Sequence, residues 1–182
     1  MLGIFKEKLV NAPKELKSPA SLNSCTKAKA SDEIIKDFMS CYSSNAFSMC
    51  FGTDALLAYS PSNNPSIHHH RKEKCVTGCL VGSNGQIGFY WGIAADGSIV
   101  ISEDLELIKA SCAKSFAPFP TGCMFHSEHG LMSFEHPTKK MKAMPRIDSE
   151  GVMCGANFNV DSQSKIQIMP RVGSEANWAT WN

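Results

Sequence analysis

The chain has 182 residues, 43% hydrophobic and 19% charged, with a formal net charge of +1. That length supports one domain with its own core, and that composition excludes a disordered chain. The near-neutral balance gives no footing for nucleic acid or an acidic membrane surface, and no run approaches the roughly 18 apolar residues of a membrane span.

Taken in chain order, "MLGIF" predicts a short buried strand, and residues 11–30, with Pro13, Pro19 and many serines and lysines, predict a surface loop. "SDEIIKDFMSCY" predicts a helix with Ser31 as its N-cap. Asp32 and Glu33 sit in its first turn, and Ile34, Ile35, Phe38 and Met39 make one apolar face. "AFSMCFGTDALLAYS" reads as two strands joined at Gly52, Thr53 and Asp54.

"PSNNPSIHHHRKEK" is a loop by composition. The next stretch is strongly β, with Asn84-Gly85 and Asp96-Gly97 as hairpin turns between apolar runs. Ser102 is placed to cap a short amphipathic helix, "SEDLELIKASC". After "FAPFPTG", "CMFHS" and "GLMSFEH" predict a hairpin and "GVMCGANFNV" one more strand. The tail is polar, to be ordered by docking of Trp178 or Trp181. The expected class is α+β, dominated by antiparallel sheet.

Eight cysteines, at 25, 41, 50, 75, 79, 112, 123 and 154, are scattered through a chain long enough to pack without staples. "MLGIFKEKLV" reaches lysine too soon for a secretory leader, so the cysteines read as reduced thiols of a cytoplasmic or nuclear protein.

Three groups have the residue types for chemistry. His68, His70, Cys75 and Cys79 supply four zinc-type ligands, because alternate histidines on an extended chain share a side and C-x3-C is an allowed spacing. The plainer reading of the same stretch is a solvated loop. His126, His129 and His136, with Glu128 and Glu135 between them, lack the helical H-E-x-x-H arrangement and read as hairpin-end histidines on a wet surface. Cys112, Cys123 and Cys154 sit among apolar residues, where an inert buried thiol is the default for a cysteine. The basic segment "KKMKAMPR" reads as a solvated face.

The strings "FYWGIAADGSIVIS", "KSFAPFPTGCMFHSE", "SFEHP", "KAMPRIDSEGVMCGANF" and "PRVGSEANWA" carry a resemblance to the plant family of aluminium-induced or stem-specific proteins, a domain of unknown function described by YGL and LRDR motifs. The start, through "SSNAFSMCFGTDALLAYSPS", resembles the same family. The resemblance covers about 1–70 and 80–180. It implies a central segment bearing both motifs, and this sequence contains neither. Residues 71–79, "RKEKCVTGC", therefore read as a seam, in a single incomplete domain spanning 1–182.

At the level of fold, the family resembles the class II glutamine amidotransferases. The implied architecture is that of the N-terminal-nucleophile hydrolases, two stacked antiparallel sheets between helix layers, here truncated in the middle. Such enzymes use a cysteine as first residue, whose thiolate attacks the glutamine amide while its α-amine moves the proton. Leu2 stands where that cysteine belongs. The resemblance thus implies a stress-, metal- or hormone-responsive protein that is not catalytic. It would act through protein contacts, including self-association through edges that the lost elements leave open. Two alternatives remain: a residual amidohydrolase using Cys123 or Cys154, and a zinc module at His68, His70, Cys75 and Cys79. The expectation assigns no catalytic residue, cofactor or metal.

Overall fold

The first strand, β1 (Leu2–Phe5), lies inside a sheet rather than at its rim, paired with neighbours on both sides. The computed structural model describes residues 1–19, 27–41, 46–60, 69–72, 75–78, 88–126, 129–133, 136 and 139–161. After β1 come a 3-10 turn (Lys14–Leu16), helix α1 (Ser31–Cys41), β2 (Phe47–Phe51), β3 (Ala55–Tyr59), β4 (His69–Lys72) and β5 (Cys75–Gly78). Then follow β6 (Tyr90–Ile93), β7 (Ile99–Ser102), helix α2 (Leu105–Cys112), β8 (Phe116–Pro118), β9 (Cys123–His126), β10 (Gly130–Ser133), β11 (Met141–Ile147) and β12 (Met153–Val160).

The strands form a six-stranded sheet in the order β2-β3-β1-β7-β6-β8, a four-stranded sheet β10-β9-β5-β4 and a two-stranded ribbon β11-β12. Side chains alternate across the large sheet, as strand geometry requires, and both faces are apolar. Leu2, Ile4, Ala58 and Val100 pack under Ile34 and Phe38 of α1 and Ile108 and Cys112 of α2. Phe5, Trp91, Ile99 and Ile101 point the other way, into Phe125 of β9 and Ala156 and Phe158 of β12. Trp91 is the centre of that second core, edge-on to Phe119, Phe125 and Phe158 at 5.4, 6.0 and 5.2 Å. The molecule is thus mixed α+β with antiparallel sheets, and among the described residues both α-helices cover one face of the large sheet.

Local chemistry explains most boundaries. Helix α1 buries Ile34 and Phe38, one turn apart, with Asp32 and Glu33 in its first turn. Ser31, expected as its N-cap, is instead the first helical residue. Its N–H and hydroxyl both donate to Asp96 Oδ2, at 3.1 and 2.6 Å, tying the helix to the β6–β7 turn. Helix α2 is capped by Asp104 rather than Ser102. Asp104 Oδ1 accepts from the N–H groups of Glu106 and Leu107, whereas Ser102 ends β7 and donates its hydroxyl to Met1 O at 2.7 Å. In the β6–β7 turn Gly97 has φ +80°, which favours glycine, and Asp96 Oδ1 accepts from Ser98 N.

Four segments differ from their sequence patterns. "FAPFPTG", to which the pattern assigns no element, contains β8, the last strand of the large sheet, paired through Tyr90↔Pro118, Trp91↔Ala117 and Gly92↔Phe116. The basic stretch around Met141 is β11, with Pro145 inside it, which only a strand with an unpaired edge tolerates. The expected loop "PSNNPSIHHHRKEK" contains β4, which pairs with β5 just beyond it in a hairpin that joins β9 through Thr77↔His126 and Gly78↔Phe125. The expected surface loop near residue 16 is also partly interior, because Leu16 and Ser18 are buried and Ser18 bonds to Ser115 Oγ and Met153 O. The Asn84-Gly85 turn, Trp178 and Trp181 lie outside the described residues.

Candidate functional site

Two places bring polar chemistry to an apolar wall. The first is the start of β1, where the resemblance to amidotransferases directs attention. Met1 and Leu2 are both buried there, Leu2 at 0% exposure beneath the helices. The Met1 amine donates to Glu103 Oε1 at 2.6 Å, and the Met1 carbonyl accepts from Ser102. The side chains at this strand end are a thioether and an isobutyl group, neither of which forms an acyl intermediate.

Among the expected nucleophiles, Cys112, Cys123 and Cys154 are all buried and free of disulfides. Burial, helped by the charge of Asp96, pushes the Cys112 thiol far above its ordinary value, so it stays protonated. His126 and His129 meet at the β9–β10 hairpin end, stacked at 4.8 Å between ring centroids. His136 is separate from that pair, its N–H donating to Ser133 Oγ. Glu128 and Glu135 lie outside the described residues, as do His68 and Cys79. The backbone sets His70 opposite Thr77 and Cys75 opposite Lys72. Among the described residues no three His, Cys, Asp or Glu side chains group as a metal site.

The second place is a cleft of about 660 Å³ between α2 and the β11–β12 turn. Leu105, Ala110 and Ala113 line it from the helix side, Tyr90 and Phe116 from the sheet, and Ile147 to Glu150 from the turn. The ribbon is clamped here by a β-bulge, since Arg146 alone stands opposite Cys154 and Gly155 between the pairs Pro145↔Ala156 and Ile147↔Met153. Gly155 has φ +73°, and a Cβ on it would stand 2.5 Å from Phe116 O, so only glycine lets β12 cross β8 this closely. Arg146 completes the clamp. Its Nε donates to Cys154 O at 3.1 Å, its Nη2 to Phe116 O at 3.2 Å, and its guanidinium lies 4.5 Å from the Phe116 ring centroid.

The turn itself is held by Asp148, whose Oδ1 accepts from Glu150 N at 3.0 Å and Val152 N at 2.9 Å. Its Oδ2 meets Lys114 Nζ at 2.7 Å, across 34 residues of chain. The Lys114 bond, with those turn N–H groups, holds the Asp148 carboxyl below its ordinary value, and Asp148 in return raises the Lys114 ammonium. Lys109 pairs with Glu106 at 2.8 Å on the helix surface. Sequence patterning does not single out Arg146, Asp148 or Glu150 as a group. The Asp-x-x-Gly run of "IDSEG" signals the turn, but nothing local signals the helix it meets.

These clamp residues are the strings that carried the family resemblance, now seen joining α2 and β8 to the ribbon. The sequence pattern of the aluminium-induced proteins matches residues 2–80 and again 71–160. The chain belongs to the aluminium-induced protein family. For this family member, the two matched stretches share residues 71–80, and the signature residues of the clamp fall within the second. No curated protein and no solved structure matches the chain.

Proposed function

We propose that this member of the aluminium-induced family is a stress-responsive protein of amidotransferase-like, N-terminal-nucleophile-hydrolase-like build, without glutamine chemistry, acting through contacts with other proteins in the cytoplasm or nucleus. One observation carries the reading. The strand end where the resemblance puts a thiolate holds the buried Leu2, whose side chain has no nucleophilic atom. The buried state of Cys123 and Cys154 adds support, because a nucleophile must reach its substrate. The contact reading draws on Met49, about half exposed on edge strand β2 and opposite Leu57, which packs into the core between the sheets. Residues 71–79 we take as a join across a missing central segment, a reading supported by two family matches that meet there.

Glutamine turnover by the purified chain tests the reading. Glutamate release no faster than the buffer blank is the expected result. Turnover abolished by Cys123→Ser or Cys154→Ser would replace it with the internal-cysteine hydrolase.

A further inference from the structure

We propose that the cleft between α2 and the β11–β12 turn binds small zwitterions with an apolar body, free amino acids or short peptides, with Arg146 taking the carboxylate and Glu150 the ammonium. The charges of the cleft lead there by subtraction. Three cations and three acids line it, and two of each are spent on one another, Lys109 on Glu106 and Lys114 on Asp148. Among the described residues neither the Arg146 guanidinium nor the Glu150 carboxylate makes an ion pair, although Glu150 adds its charge to the field at Lys114. A lone anion would meet the acids of the turn and a lone cation the lysines. A ligand carrying both charges satisfies both.

Both remaining groups are built in place. Arg146 commits two of its five N–H donors to the carbonyls of Cys154 and Phe116 and stacks on the Phe116 ring. Its other donors stay available on a guanidinium with little freedom left to lose, the condition that favours paired recognition of a carboxylate. Glu150 projects from a turn fixed by Asp148, and among the described residues its carboxylate makes no hydrogen bond. The walls suit an aliphatic body. Ile147 is 63% exposed at the rim, an apolar side chain that a bound ligand would cover. Ala113 holds φ +51°, the one non-glycine residue with positive φ among those described, and strain of this kind clusters at binding sites. A volume of about 660 Å³ lies inside the usual range for ligand sites and accommodates a dipeptide. The inference goes beyond the non-catalytic reading and does not depend on it.

The test is calorimetric titration of the full chain with L-leucine and with the dipeptide Leu-Leu. 4-Methylpentanoate serves as the carboxylate-only control and isoamylamine as the ammonium-only control. Saturable binding of a zwitterion, with both controls weaker by about tenfold or more, is expected. Tighter binding of Leu-Leu assigns peptides, and tighter binding of leucine assigns free amino acids. Glu150→Gln should weaken the zwitterion by about tenfold while leaving 4-methylpentanoate unchanged. Arg146→Lys keeps the charge, loses the fork and should weaken both; if that variant fails to fold, Glu150→Gln decides alone. No saturable heat at about 10 mM ligand, equal binding of the controls, or an unaffected Glu150→Gln variant overturns the proposal.

Discussion

The start of β1 and the cleft beside α2 differ in what their polar groups do. At β1 every group with a given role looks inward, the amine on Glu103, the carbonyl on Ser102 and Leu2 under two helices. At the cleft a clamped arginine and a turn carboxylate line open space, and Ile147, which lines it with them, is exposed. A position that would be chemical by resemblance has become core, while the signature strings build an open site elsewhere.

Substitutions test that contrast. If β1 is sealed core, Leu2→Ala should cost roughly 3 kcal/mol, a fall in Tm of about 6–12 °C by calorimetry, because a fully buried leucine leaves a cavity. A loss near zero would mean that the strand end is open after all. Gly155→Ala should cost about 2 kcal/mol, since it combines a left-handed backbone with a collision against Phe116 O. Denaturant unfolding measures it, and an unchanged midpoint would show that the ribbon is not clamped on β8.

Asp96 offers a pH test where α1 meets the β6–β7 turn. Burial, the largest single influence, raises its carboxyl, but the bonds from Ser31 and Ser98 together outweigh it and hold the group below its ordinary value. Its folded pKa is therefore the lower one, and the unfolded chain binds more protons between the two values. The stability it contributes is complete above about pH 4 and fades as pH falls through the folded value. Asp96→Asn places an amide N–H₂ against donors, and should cost about 1 kcal/mol at neutral pH while flattening acid unfolding. An unaltered acid limb would remove Asp96 from that role. The smallest effect belongs to the open site. Ile147→Ser should change stability by less than about 0.5 kcal/mol while lowering affinity for leucine-containing ligands, read in the same titrations.

Legibility in the sequence follows the range of the interactions. Both helices, the Gly52 and Gly97 turns and the β9–β10 hairpin were readable, because each depends on residues within a few positions. The caps were not fully readable. Ser31 and Ser102 have the right chemistry for N-caps, yet Asp96 and Met1 engage them from 65 and 101 residues away. Strand β11 hid behind Pro145 and its lysines, since its pairing with β12 overrides weak local β propensity. The candidate site was readable only in parts, as a turn and an amphipathic helix with no sign that they face each other.

The class, α+β with antiparallel strands, and the family are legible in the order of residues along the chain. Hydrophobic period and turn chemistry are local, and the signature strings are long. That Leu2 is core, and that Arg146 rests on Phe116 while Lys114 meets Asp148, is visible in the fold alone. Those contacts join residues about 30 or more positions apart. Packing of the sheet against helix and ribbon selects them, and no local pattern encodes such a meeting.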